Sequence, residues 1–508
     1  MIRQRLAQRA SECFPAFLSW GTLLFPAFFL PIFPNIVFGF LLLYVFLWFL
    51  RAVEYSFFLL YSYRKYKKNL TKNWKKELED TSYSSADLSP KEVLHLIIIP
   101  TYKESLQVLR DTINAIRKSS FPMEQIYICI ATEERDVING RKNAEILSRE
   151  YETVFGRFFW IEHPDGLPNE IRGKGANISF AGKRLAEKLT TEGVDFSRVL
   201  VTTLDADNRI HSHLLSALTK IYCKTPERHK RAFQPIPLFF NNIWDVPAMN
   251  RVVALSSGYW HLIEAGRPDR LRNFSSHSQP LSALAEMNFW DTTTIVEDGR
   301  QYWRSYFHFH GSYEVIPIFL PIYQDAVLSQ NYFRSLIGQF QQLKRWSWGC
   351  SDIAYCFGEI RKEWRYLPKI KTLLQYFRLI EGHYMWATAA LFLAIVIPAV
   401  KLFAPEVSET VFGTHVALFL SVVFRLALSG IFVSMILTFL MTPSPPKKIR
   451  TFDLIWQWAL IPFTTIFFGS LPALVTQTQI ALGKRMEFNV TEKVRQKEPK
   501  TLARGKHS

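Results

Sequence analysis

The sequence predicts an α/β domain built on a mostly parallel sheet and joined to an α-helical transmembrane region. Three observations predict it. Apolar blocks occupy both ends of the chain while charge gathers in the middle. Short β-branched runs alternate with helical periodicity through that middle, the pattern of a parallel sheet with covering helices. One of those runs, RVLVTTLDAD (198–207), ends in two carboxylates.

Composition sets the bounds. The 508 residues allow about two or three domains. Hydrophobic residues make up 48% of the chain and aromatics 15%, and the net charge is +17. Such a charge suits nucleic acid, anionic headgroups or phosphorylated substrates. The basic residues flank apolar blocks and no nucleic-acid-reading module is visible, so membrane surface and phosphate are the expected partners. The five cysteines are scattered and form no CxxC pair, which argues against a disulfide framework or structural zinc and for a reducing compartment.

The N-terminal apolar stretch carries no charge from Cys13 to Leu50. It is too long for a signal-peptide core. Prolines 26, 31 and 34 divide it into spans near 14–32 and 36–58, so residues 1–68 are read as a transmembrane hairpin. Basic residues at both ends, including Arg64 to Lys68, place those ends in the cytoplasm. Residues 69–92 are polar and Ser-rich, a linker. A domain over 93–325 follows, with strands at 94–100, 125–132, 158–163 and 198–207 and a helix near 105–118. Ligands of such sheets bind beyond the carboxyl ends of strands, where Pro100, Thr132 and Asp205 fall.

A Trp- and Tyr-rich stretch runs from about 285 to 367, residues 326–380 are read as interfacial helices, and the amphipathic segment 331–349 reads as a helix at the headgroup level or a core helix. Three apolar blocks, near 384–403, 414–441 and 452–483, make a second membrane region over 381–483. Arg425, inside the second block, is either a pore or headgroup contact or a snorkelling side chain. Two plus three crossings would put the basic tail (484–508) outside, so the third block, with Pro462 and Pro472, is expected to be interfacial or re-entrant.

Chemistry gathers at a few places. Asp205 and Asp207, at a strand end, can face one hard divalent cation, Mg²⁺ or Mn²⁺, shared with phosphate. Such a metal offsets charge on a leaving diphosphate. Glu297-Asp298 offers a general base or, more simply, a helix N-terminal acid pair. Gln342, Arg345 and Trp346 supply an amide, a guanidinium and an indole within about one and a half turns. Lys174, between two glycines ahead of a helix, can approach phosphate. His308 and His310 alternate like strand residues, with a structural role expected.

The order IIIPTYKES, GKGANIS, LDADN, IVED, QLKRW and FNVTEK resembles family 2 glycosyltransferases, and more narrowly membrane-integrated processive synthases such as cellulose and hyaluronan synthases. The resemblance covers about residues 93–350 plus 488–493. It implies a cytoplasmic, Rossmann-like catalytic domain of GT-A type in a multi-pass protein of the cell membrane. It further implies inverting, metal-dependent transfer of a sugar from a nucleotide-sugar donor to a growing polysaccharide. Asp205 and Asp207 would hold the metal and Asp298 would be the base. Thr101, Tyr102, Glu104, Glu133, Lys174 and Arg345 would contact the donor, and Gln342 and Trp346 the acceptor. Phe488, Val490, Thr491 and Lys493 would form a gating loop over the nucleotide.

Three positions depart from the family pattern. Glu133 stands where an aspartate pair helps hold the base, FSSHSQP (274–280) replaces a small-residue acceptor segment, and Val296 precedes the ED pair in place of Thr. Two other functions compete: addition of a single sugar to a lipid or polyprenyl phosphate, and a catalytically silent membrane scaffold or transporter.

Overall fold

The computed structural model describes residues 2–79, 88–396, 398, 402, 411–446 and 449–486. The N-terminal region forms two long helices, α1 (Ile2–Phe29) and α2 (Pro34–Leu70). Pro31 lies in the turn between them and Pro34 opens α2, where its missing N–H costs no hydrogen bond. The segment expected as a linker is partly structured. Helix α3 (Trp74–Glu79) buries Trp74 in the core of the α/β domain. Residues 80–87 lie outside the described set, and Leu88 is again buried.

The α/β domain holds one eight-stranded sheet. In chain order its elements are β1 (Leu94–Pro100), α4 (Leu106–Arg117), β2 (Ile126–Glu133), α5 (Gly140–Tyr151), β3 (Arg157–His163), α6 (Lys174–Thr191), β4 (Val199–Thr203), β5 (Arg209–Ile210), α7 (Leu214–Lys224), β6 (Arg231–Leu238), α8 (Ala248–Ala265), β7 (Ser278–Pro280), α9 (Leu281–Glu286), α10 (Glu297–His308) and β8 (Glu314–Tyr323). The spatial order is β3-β2-β1-β4-β7-β6-β8-β5. β1 pairs in parallel with both β2 and β4, β2 with β3, and β6 with β8. Short β7 runs antiparallel between β4 and β6, and β5 antiparallel to β8.

The period of two along β1 explains the layering. Ile97 and Ile99 point into a core with Leu109, Ile113 and Leu218 of α4 and α7, while Leu96 and Ile98 face Ile178 and Leu185 of α6. Both faces are covered, so the strand reads as an unbroken apolar run. Ser105 caps α4 by accepting from the Val108 N–H at 3.4 Å. His308 and His310 are not strand residues. His308 ends α10 and His310 follows in a left-handed turn at φ 48°, because the aromatic stripe of 302–307 packs at helical spacing.

Beyond the sheet come α11 (Tyr332–Ser347), α12 (Asp352–Glu363), α13 (Lys369–Leu391) and α14 (Val411–Met441), then a terminal helical run. Among the described residues four helices are long and apolar enough to cross a membrane: Leu6–Phe29, Pro34–Leu70, Lys369–Val396 and Phe452–Ala481. The last is the block expected to fall short of a crossing. Its prolines sit at the starts of short helical segments, with a π-helical stretch between them, and do not stop the run.

Gly156 enters β3 with no room for a side chain, since a Cβ there would stand 2.0 Å from the Glu124 carbonyl oxygen. Gly156→Ala should therefore cost about 1–3 kcal/mol through forced backbone displacement. A lowered midpoint in thermal unfolding of the purified protein checks this.

Candidate active site

In the sheet β1 leads to β2 on one side while β4 lies on the other, so the chain switches direction beside β1. The loops leaving the carboxyl ends of β1 and β4 separate there and open a crevice. A cavity of about 1790 Å³ begins at this point and is lined by Thr101 to Ser105, Glu133, Lys174, Asp205 and Asp207.

The Lys174 ammonium organises the crevice. It opens α6 and lies 3.0 Å from Asp205 Oδ1, 3.4 Å from Glu297 Oε1 and 3.2 Å from Asp298 Oδ1. It also donates to Ser275 Oγ at 3.0 Å. Burial disfavours the charged lysine, but Asp205, Asp298 and Glu297 outweigh it and raise its pKa. Glu297 moves upward as well, through burial and the adjacent Asp298 charge, with Lys174 opposing. Gly175 has a packing reason: a Cβ there would meet the Asp291 carbonyl at 2.7 Å and Glu297 Cβ at 2.9 Å. The glycine lets the start of α6 press against the start of α10, which brings lysine and acid pair together.

Asp205 and Asp207 follow β4 in a tight turn. Ser275 donates to Asp205, and Asp207 Oδ2 accepts from the Asp325 N–H at 3.2 Å. Ser276 sits beneath the turn at φ 67°, its hydroxyl accepting from the Asp205 N–H at 3.4 Å and from the Asn208 amide. The FSSHSQP segment thus holds the Asp205–Asn208 turn in place. Among the described residues no group of three or more His, Cys, Asp or Glu side chains gathers as a metal site. The pair nevertheless fits a hard divalent ion. Both carboxylates line one cavity, and such ions often take one or two protein carboxylates and complete their shell with substrate phosphates.

One side of the crevice is built from the loops that follow β1 and β2. The Arg135 guanidinium lies 4.0 Å from the Tyr102 ring centroid and pairs with Glu133. Asp136, buried, accepts from the Lys103 N–H at 2.7 Å and fixes the turn in which Lys103 adopts φ 68°. Glu104 accepts from Thr101 Oγ1 at 2.9 Å and from the Tyr102 N–H. Burial, aided by Asp207 and opposed by those hydrogen bonds, pushes its carboxyl up to about 7.

Helix α11 carries Gln342, Arg345 and Trp346 to the same cavity. Gln342 is buried and accepts from Gln339 at 3.2 Å. The Trp346 ring lies 6.0 Å from that of Phe239, at the end of β6. Burial lowers the pKa of Arg345, while the charges of Glu297, Asp205 and Asp298 oppose the shift. Phe488, Val490, Thr491 and Lys493 lie outside the described residues. The sequence reading missed Asp325, Ser275 and Ser276. Asp325 had a usable signal, since it follows the apolar run of β8 as Asp205 follows β4.

The chain matches no protein-family model and no curated protein sequence. Solved structures are similar to it. One is the mannosyltransferase PcManGT from Pyrobaculum calidifontis, in complex with GDP-Man and Mn²⁺, at 13% identity and a TM-score of 0.47, with 88% of this chain and 99% of that one covered. Another is S. aureus TarS, at 11% identity and a TM-score of 0.29, with 49% of this chain and 40% of that one covered.

Glu104 gives the site a pH signature. Its folded value lies above the unfolded one, so the folded state holds the extra proton and stability is lost as pH rises toward about 7. Glu104→Gln removes that loss. The variant's melting temperature, relative to wild type, should be higher by a few degrees at about pH 8 than at about pH 5.

Proposed function

We propose that the protein is an inverting, metal-dependent glycosyltransferase that moves a sugar from a nucleotide-sugar donor to a saccharide acceptor, extending a polysaccharide. The observation carrying this reading is the convergence of Asp205, Glu297 and Asp298 on Lys174, with Asp207 lining the same cavity, at the switch point of a mostly parallel sheet. The order of sequence motifs through QLKRW supports it.

The roles follow from position. Asp205 and Asp207 would hold a divalent ion, which supplies positive charge at the donor diphosphate. Tyr102, Glu104 and Glu133 would receive the nucleoside, and Arg345 the diphosphate, where its fork suits paired oxygens. Asp298 would take the proton of the acceptor hydroxyl. The acceptor oxygen then bonds to the anomeric carbon, the bond to the diphosphate breaks, and its electron pair leaves with the nucleoside diphosphate. Single displacement inverts the carbon. Trp346 offers an apolar face for a sugar ring, and Gln342 an amide for its hydroxyls. Lys174 holds the carboxylates together before donor binds and can pair with phosphate afterwards.

The decisive experiment is nucleotide release from a panel of UDP- and GDP-sugars with Mn²⁺ or Mg²⁺. Release with no donor in the panel would overturn transfer. With the active donor, Asp298→Asn should lower turnover by about 10²–10⁴-fold and leave donor affinity nearly unchanged. Unaltered turnover would remove Asp298 from the base role. Asp207→Ala should weaken donor binding in calorimetry with Mn²⁺ and have little effect with metal chelated.

A further inference from the structure

We infer that the acceptor is carried on a lipid phosphate, seated in an arginine-lined chamber between the catalytic crevice and the membrane helices. This rests on the glycosyltransferase reading and adds the chemistry of the acceptor's anchor.

The cavity is electrically two-ended. Its crevice end holds Glu104, Glu133, Asp205, Asp207 and Asp298 with Lys174 and Arg345. Its other end is lined by Arg51, Arg267, Arg270, Arg272 and Arg378, with the acids Glu264, Glu381 and Asp352, the last paired with Arg300. The loop after α8 makes this chamber by wedging between α2 and α13. Arg267 pairs with Glu54 at 3.1 Å and with Glu264, Arg51 with Glu381, and Arg378 with Asp269 at 2.8 Å. The acids are thereby engaged.

Arg272 makes no ion pair among the described residues. Its guanidinium lies over the rings of Trp303 at 4.8 Å and Tyr302 at 5.8 Å. Buried donors surround the chamber without hydrogen-bond partners among the described residues: Arg272 Nε, Arg267 Nε and Asn273 Nδ2. Asn273 is 1% exposed, and its Oδ1 already accepts from Tyr313 at 3.3 Å, so only its donor side is unsatisfied. Buried donors of this kind ordinarily have partners. What the chamber lacks is an acceptor with several oxygens and negative charge. Phosphate meets that need, and guanidinium forks match it in pairs. Arg270 also pairs with Glu54 at 3.9 Å, and a neutral saccharide alone gives no reason for the one arginine, Arg272, that has no acid partner among the described residues.

The chamber's depth fixes the rest of the ligand. Arg51 comes directly after the uncharged run of α2, and Arg378 and Glu381 directly precede the apolar part of α13. That is the headgroup level of a bilayer. Beyond it the same cavity continues along Trp48, Phe49, Ala390, Leu393, Ala394 and Pro462. A phosphate at the arginines with a hydrocarbon tail along these residues fills both parts. The saccharide then extends toward Asp298, and the phosphate itself does not react.

The test uses the full chain in detergent and measures binding of a polyprenyl phosphate, the matching polyprenol, inorganic phosphate and phosphatidylglycerol. The polyprenyl phosphate should bind at least about tenfold more tightly than the polyprenol and than phosphatidylglycerol. Inorganic phosphate should compete weakly, and Arg272→Gln should lower the preference for the phosphorylated ligand. Equal affinity of wild type for phosphorylated and unphosphorylated polyprenol overturns the proposal, whatever the variant does. Equal competition by phosphatidylglycerol overturns it too, since the chamber would then hold bilayer lipid. Selective binding of polyprenyl phosphate with no nucleotide release from any donor would leave the chamber assigned and overturn the transfer reading instead.

Discussion

One buried ammonium holds the crevice together. Lys174 stands among Asp205, Glu297 and Asp298, which come from the β4 turn and the first residues of α10. Three carboxylates at that spacing repel one another strongly in a partly buried site. The lysine makes their approach tolerable, while burial and the adjacent Asp298 charge still raise the pKa of Glu297. Removing a member of such a buried cluster leaves uncompensated charge, the costly case for ion pairs. The cluster is therefore poised for a ligand that brings positive charge to Asp205 and takes up Lys174.

A second buried guanidinium extends this order to α12. Arg300 donates to Asp352 at 2.7 Å, at the start of α12, and to Asp291 at 3.1 Å, ahead of α10, and lies 4.1 Å from the Tyr355 ring centroid. Asp298 sits half a turn before Arg300 on α10, and Arg345 lies about two turns before Asp352. The acid cluster and the QLKRW residues are thus held in register through arginine.

What was legible in the sequence follows local rules. The strands of the first half announced themselves because a doubly covered parallel sheet demands unbroken apolar runs, as in Leu94–Pro100. Asp205 and Asp207 were singled out as the end of a strand run, and both line the crevice beyond β4. The FSSHSQP segment stood out in the sequence only as a departure from the family pattern, because what it does is tertiary. Ser275 and Ser276 hold the β4 turn across 70 residues of chain, which no local pattern encodes. His308 and His310 were misplaced because two alternating histidines look alike at the end of a helix and in a strand. The arginines after α8 belong to no local sequence pattern, and only the wedge between α2 and α13 brings them together.

That wedge has a structural basis in a shared core. Leu59 and Tyr66 of α2, Ile236 and Leu238 of β6, Leu255 and Leu262 of α8, Leu437 of α14 and Trp458 of the terminal run form one apolar cluster. The membrane helices and the sheet therefore do not meet across a polar interface. Helix α2 passes from its uncharged run straight into the packing of β6 and α8, and Gly266 lets the end of α8 approach closely, since a Cβ there would lie 2.4 Å from Ser62 Oγ. A cavity bounded by such a junction has one wall of lipid-facing helices and one of strand ends. A ligand spanning it must be amphiphilic, with its polar part at the strand ends. The same packing that fixes the arginines thus also sets how they lie relative to Asp298 along the one cavity.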